Sequence, residues 1–255
     1  MAAPTRIHLD RLHTDFREAQ KGKASRHAVS DRVRPSVFQY DYLTLSLLSA
    51  DIHRLVGELP SARAGALALD LGSDKSPYRE LLERRGYAVR TLDLTRESGA
   101  DYAGTAEDTR LPDASFDLVI CTQVLEHCEN PWKAVREIRR VLRPGGHLIA
   151  SAPHVWFYHP HPADHWRFTQ EGMAHLCREA GLEPLSLLAQ GGAITTFLQI
   201  VNFLVYGIAG RMGAPMYAGL NLLAGLGDRL VRNQLFCHNF ACLARRTDGA
   251  GAARA

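Results

Sequence analysis

The chain has 255 residues, 46% hydrophobic and 22% charged, with a net charge of +3, which is an ordinary globular composition with ample length for a core. That charge, with a pI near 8.6, is too weak to argue for a nucleic-acid partner. Five cysteines with no CxxC pair suit reduced thiols in a cytoplasm better than a disulfide framework, and the first twenty residues lack the apolar run of a secretory signal.

Residues 1–34 carry eight Lys/Arg against four Asp/Glu. The segment 1–36 reads as a basic, flexible arm, solvated or serving as a lid or membrane-surface contact. Phe38, Tyr42, Leu45, Leu48, Ile52, Leu55 and Val56 then fall at helical spacing, predicting a helix on the core over 37–60. Residues 60–65 link it to an apolar strand at 66–71. Asp70 places a carboxylate at the open edge of a sheet, Gly72 allows close backbone approach, and a helix follows at about 77–85. Gly86 stops that helix. A strand at 87–93 ends in Asp93, 21 residues beyond Gly72, where an acid is placed to hydrogen-bond a ribose diol.

A short strand is expected at 102–104. Asp117–Thr122 is apolar throughout after its first residue, as in a central parallel strand covered on both faces. Asn130 and Pro131 form a helix start, Val135, Ile138, Val141 and Leu142 supply its buried stripe, and RPGG at 143–146 ends it before a strand at 147–152. Thr169 caps a further helix that stops at Gly181, and 182–188 is the next strand. Such alternation predicts an α/β fold with a parallel sheet and right-handed crossovers.

Residues 193–227 carry no charge except Arg211 and are broken by glycines. Thr195, Gln199, Asn202 and Tyr206 form a polar stripe that a lipid-facing span would not carry. We read helices over the sheet's ligand edge, the stripe facing a substrate cavity. Peripheral membrane contact and a true span are the competing readings. Residues 236–246 close the sheet and 247–255 form a disordered tail.

The stretches ALDLGSDKSPY, RTLDL, AGTAEDTRLPDASFDLVICTQVLEH and WKAVREIRRVLRPGGHLIASAP together resemble the class I S-adenosylmethionine-dependent methyltransferases, from about Leu67 to Leu188. HPADHWRFTQEGMAHLCREAGLE is similar to a methyltransferase type 11-like subgroup carrying P-x-D-Y/W-Y/W-R-F/Y-T, whose members often look like glycan or cell-surface biosynthesis enzymes. The resemblance implies a Rossmann-like, doubly wound, mostly parallel seven-stranded sheet with helices on both faces and an antiparallel last strand. It implies one methyltransferase domain over 37–246, its cofactor core at 66–190 and a helical cap at 191–235.

It also implies S-adenosyl-L-methionine as cofactor. Asp70, Gly72, Ser73 and Asp74 would hold its methionine part, Asp93 its ribose, Thr105, Ala106 and Glu107 its adenine, and Thr122 and Gln123 would line the sulfonium. Asp74 and Ser76 stand where the family usually has its second and third glycines, and Thr105 where it often has Asp. His127, His161 and His165 are candidate bases for a hydroxyl acceptor, and His154, Tyr158, His159, Asp164, Trp166 and Arg167 candidate substrate contacts. No metal is expected. HPHPADH lacks helical pairing of ligands, and Gln123 replaces the first carboxylate of the ExxEH that some quinone-biosynthesis methyltransferases show there. The acceptor class is a small molecule or a glycan- or lipid-linked group, in a cytoplasmic protein with membrane association left open. The rival classes are a non-catalytic scaffold of the same fold and a nicotinamide oxidoreductase, the latter opposed by the missing GxGxxG.

Overall fold

The computed structural model describes residues 29–96, 99–159, 163–231 and 236–247. The basic arm up to residue 28, His161 and residues 248–255 lie outside them. Apolar runs at Leu67–Leu71 (β1), Ala88–Asp93 (β2), Phe116–Thr122 (β4) and Leu142–Pro153 (β5) form the parallel part of the sheet, with Tyr102–Ala103 (β3) at its edge. Leu182–Gln190 (β6) and Asn239–Arg246 (β7) complete it in the order β3-β2-β1-β4-β5-β7-β6, β7 running antiparallel to both neighbours.

Both faces are dry, as the near-continuous apolar strands require. On one face Ile52, Leu55 and Val56 of the helix Tyr42–Glu58 (α2) pack on Ala68, Leu118, Ile120 and Leu243. On the other, Val135 and Ile138 of Pro131–Val141 (α4) and Met173 and Leu176 of Gln170–Glu179 (α5) pack on Leu69, Val119 and Leu148. Both latter helices start on the expected caps: Asn130 accepts from Lys133 N at 2.9 Å and Thr169 from Gly172 N at 3.0 Å. Short helices at Val29–Val33 (α1) and Arg79–Arg84 (α3) complete this part.

Several boundaries differ from the sequence expectation. The first long helix begins at Tyr42, because Ser36–Gln39 closes into a turn through Gln39 N to Ser36 O at 2.9 Å. RPGG belongs to β5, where the register shifts between Phe116 and Leu118 and Gly145 at φ +74° absorbs the irregularity. The closing strand starts at Asn239, leaving Phe236 exposed.

The apolar segment is a hairpin of Ala193–Ala209 (α6) and Ala214–Leu230 (α7) joined by a 3-10 turn at Gly210–Gly213. Its polar stripe does not face a cavity. Gln199 donates to Tyr40 O at 2.9 Å, Asn202 to Asn221 Oδ1 at 2.7 Å, and Asn221 to Val37 O at 2.7 Å and Gln39 O at 3.0 Å. The irregular segment before α2 has carbonyls that need donors, and the stripe supplies them.

Opposite the ligand edge, Asp117 ties three parts of the sheet together. Its carboxylate accepts from Leu67 N at 2.8 Å, Arg63 Nε at 2.6 Å and Arg143 Nη1 at 2.6 Å, which holds it below the usual carboxylate range. Asp117→Ala is expected to lower unfolding stability by about 1–3 kcal/mol, measured by urea denaturation, since Leu67 N–H and Arg143 lose their partner together.

Candidate functional site

Between β1 and β4 the strand order turns back, and the loops leaving their C-terminal ends diverge to open a crevice. It widens into a cavity of about 660 Å³. Gly72 sits at its floor with φ +71°, and a Cβ there would lie 2.4 Å from Val124 Cγ2. Only a glycine lets the turn pack this closely against Val124, which lines the same cavity.

The next two positions explain the missing glycines. Asp74 and Ser76 both adopt left-handed backbone, at φ +44° and +48°, in the places where glycine would be unstrained. Each residue is held by polar contacts. Asp74 N donates to Asp93 Oδ2 at 3.0 Å, while its exposed carboxylate lies 3.6 Å from Arg32. Ser76 Oγ donates to Asp70 Oδ2 at 2.6 Å.

Asp70 is thus not an open-edge carboxylate. It is buried behind the turn, 3% exposed, and its carboxyl is pushed up to about 7, chiefly by burial. Ser73 is buried with it and also stands off the cavity wall. The wall itself carries Gly72, Asp74, Asp93, Thr105, Ala106, Glu107, Thr122 and Gln123. Asp93 Oδ1 accepts from Leu94 N at 2.7 Å, Thr105 Oγ1 from Asp108 N at 3.0 Å, and Glu107 from the backbone of Asn130. Gln123, at φ +56°, donates to Ser151 Oγ at 3.0 Å and Asn239 Oδ1 at 3.1 Å, which binds the tip of β4 to β5 and β7.

The histidine segment folds back over the 3-10 turn Leu125–His127. His165 N donates to Glu126 O at 2.8 Å, and Trp166 Nε1 to Cys128 O at 2.9 Å, with its ring edge-on to Trp132 at 5.5 Å. Asp164 is the buried anchor of this fold. It takes Arg167 at 2.5 and 2.7 Å, His159 N at 3.0 Å and His159 Nδ1 at 3.1 Å. Asp164, Arg167 and Trp166 therefore shape the loop and stand outside the cavity wall, as do Tyr158 and His154, whose Nδ1 bonds Phe168 O at 2.8 Å.

His127, His159 and His165 do line the cavity. The rings of His127 and His159 meet edge-on at 5.0 Å. His127 Nδ1 donates to Ala163 O, while His159 Nδ1 lies against Asp164 and 3.1 Å from Phe157 O. These contacts leave both Nε2 atoms as the basic nitrogens. Burial pulls both rings below the usual histidine value of 6.5, so both are neutral near pH 7.

Glu126, which sequence reasoning sets aside together with the ExxEH comparison, is part of this site. It is 1% exposed, its Oε2 has no partner, and burial pushes its carboxyl up to about 8. Donor atoms of Glu126, His127 and His159 lie within 4.8 Å of one another, a spacing one divalent cation could bridge. Sequence reasoning names His127 and His159 separately and sets the ExxEH position aside because of Gln123, whereas the fold brings Glu126 and His127, from the turn after β4, against His159. The segment before α2 and the first turn of that helix were missed as well: Arg32, Tyr40, Asp41 and Thr44 all reach the cavity.

Residues 69–150 match the family described as "Methyltransferase domain". The chain is 32% identical over 107 residues to a ubiquinone biosynthesis O-methyltransferase of Ralstonia nicotianae, covering 36% of this chain and 44% of the relative. It is 31% identical over 166 residues to the 27-O-demethylrifamycin SV methyltransferase of Amycolatopsis mediterranei, covering 52% and 59%. The matched part thus spans about half the length of these relatives. Among solved structures, the 1,6-didemethyltoxoflavin-N1-methyltransferase of Burkholderia thailandensis, bound to its substrate and S-adenosylhomocysteine, superposes with a TM-score of 0.52 at 18% identity. That match covers 97% of this chain and 94% of the other, and it shows a shared fold.

Because Asp70 titrates near 7 in the fold and near 3.8 when unfolded, the folded state binds the extra proton between those values. Stability therefore falls as pH rises through that window, by an amount on the order of a few kcal/mol. Thermal melts at about pH 5 and about pH 8 are expected to show a larger drop for the wild type than for Asp70→Asn, which keeps an acceptor for Ser76 without the charge.

Proposed function

The chain belongs to the class I S-adenosylmethionine-dependent methyltransferases, and from that premise we propose that it methylates an oxygen of a small-molecule or lipid- or glycan-linked acceptor. The residues present fit the cofactor. Gly72 lines the cavity at the turn after β1, and Asp93 supplies a carboxylate at the tip of β2. Bound S-adenosylmethionine supplies an activated methyl group on a sulfonium.

What the chain itself adds is orientation and proton handling. The observation that carries the oxygen reading is the pair of neutral imidazoles in the cavity. Each has its Nδ1 occupied by an acceptor and its Nε2 left basic. Such a nitrogen takes the proton of a hydroxyl acceptor as its oxygen attacks, a contribution of typically 10²–10⁴ in rate. Asp164 fixes the His159 ring, and Arg167 keeps Asp164 ionised beneath it. Curated relatives include O-methyltransferases of small molecules, which supports the same acceptor chemistry.

His159→Ala and His127→Ala are expected to bind S-adenosylhomocysteine as the wild type does in calorimetry. At least one should lose about 10²-fold or more in kcat with a hydroxylated acceptor. Since both rings titrate below the usual 6.5, wild-type kcat/KM rises with pH at acidic values and is flat by neutrality. Unchanged kcat in both variants overturns the proton-acceptor role. Cofactor binding with no transfer to any acceptor favours a scaffold.

A second reading is favoured by the Glu126, His127 and His159 donor set. A divalent cation held there would polarise the acceptor oxygen. Chelator dialysis separates the two. Turnover lost and restored by added cation supports the metal, whereas unchanged turnover supports the imidazole alone.

A further inference from the structure

The α6–α7 hairpin is amphipathic in the reverse sense. Thr195, Gln199, Asn202 and Asn221 are 3%, 1%, 0% and 2% exposed, whereas Phe197, Leu204, Ile208 and Met212 are 63%, 59%, 91% and 90% exposed. In water a surface helix buries its apolar stripe and shows its polar one. This hairpin does the opposite, and its hydropathy reaches 1.6 with only 22% of that stretch buried. The orientation is fixed by the side-chain hydrogen bonds from Gln199 and Asn221 to the backbone of 37–40. Rolling the apolar face inward would break them all.

Charge identifies the occupant. Residues 193–231 carry only three charged side chains, Arg211, Asp228 and Arg229. Asp228 is spent at the start of α6, accepting from Gly192 N at 2.7 Å and Thr195 N at 3.3 Å. Arg211 is exposed at the hairpin's turn, next to Met212 and three residues from Ile208. An apolar face edged by guanidinium groups and free of available carboxylate complements acyl chains beneath anionic headgroups. A second copy would instead bring like charges together.

Each leg has 17 residues, or about 25 Å at the helical rise, short of the roughly 30 Å hydrocarbon core. The inner face is also bonded to the protein. The hydrogen-bonded inner face, more than the length of the legs, favours an in-plane contact over a span.

We propose that the α6–α7 hairpin seats this protein on an anionic lipid bilayer as an in-plane contact. Its position joins that surface to the cavity. Tyr206 stacks on Tyr40 at 4.0 Å, and Phe203 stacks on Phe157 at 3.6 Å beside Trp156. Tyr40 and Trp156 both line the cavity. The docking itself rests on no assumption about methyl transfer.

The test is flotation of the full chain with vesicles of phosphatidylcholine containing phosphatidylglycerol. Wild type should float. Ile208→Glu/Met212→Glu should lose about 10-fold or more in partitioning, and Arg211→Glu should lose most of the dependence on phosphatidylglycerol and salt. All three should bind S-adenosylhomocysteine alike, since none touches the cavity. Wild type that stays unbound, or a double variant that floats equally well, overturns the proposal. So does self-association in sedimentation velocity that the double variant abolishes while vesicles are ignored, which would make a second copy the cover. Flotation in a protein that transfers no methyl group leaves the docking intact and removes only the catalytic reading.

Discussion

The architecture depends on one close approach, that of the Gly72 backbone to Val124 across the gap between β1 and β4. The two strands are hydrogen-bonded neighbours lower down, with Asp70 opposite Ile120. Their outgoing chains part immediately above, and Gly72 and Val124 together line the cavity that opens there. A methyl group at position 72 would meet Val124 at 2.4 Å and force the turn or the β4 loop aside. Gly72 N also donates to Leu92 O at 2.8 Å, so the same residue positions the tip of β2. Left-handed backbone at Asp74 and Ser76 costs on the order of 1 kcal/mol or more each. The hydrogen bonds to Asp93 and Asp70 offset that cost and make the turn rigid without the usual glycines.

The cavity has two electrostatically different ends. Asp74, Asp93 and Glu107 bring carboxylates from the first turn, β2 and the loop before α4. Around the 3-10 turn, burial works the other way. Glu126 is pushed up to about 8 and the two imidazoles are pulled down, which favours the uncharged forms of these three side chains near neutrality. The one strong charge pair beside it, Asp164 with Arg167, is closed on itself and faces the loop. An acidic end suits the hydroxyl-rich and cationic parts of an adenosyl sulfonium.

The strands, the two capped helices and the glycine turn after β1 were legible in the sequence because each is written in adjacent residues. Apolar runs define strands with both faces covered, and Asn130 and Thr169 act on amides within three residues. Asp70 was misplaced because its environment is set by Ser76, whose left-handed backbone swings the hydroxyl under the turn. The pairing of Glu126 and His127 with His159 was illegible for a different reason. It depends on a loop that Asp164 and Arg167 fold back onto β4, and no local pattern encodes that return.

The hairpin shows the same limit from another side. The spacing of Thr195, Gln199 and Asn202 announces a helix with two unlike faces, and periodicity carries no information on which face meets water. That is decided by what the rest of the chain needs. Here the segment 36–40 leaves carbonyls at Val37, Gln39 and Tyr40 that the side-chain amides of Gln199 and Asn221 reach. Once Gln199 and Asn221 are committed to them, the apolar face has no place left but outside. Tyr40 belongs both to that segment and to the cavity wall, so the bonds that turn the hairpin outward also set one side of the cavity. A face too apolar for water and one side of the cavity wall are therefore two consequences of one packing decision at the start of α2.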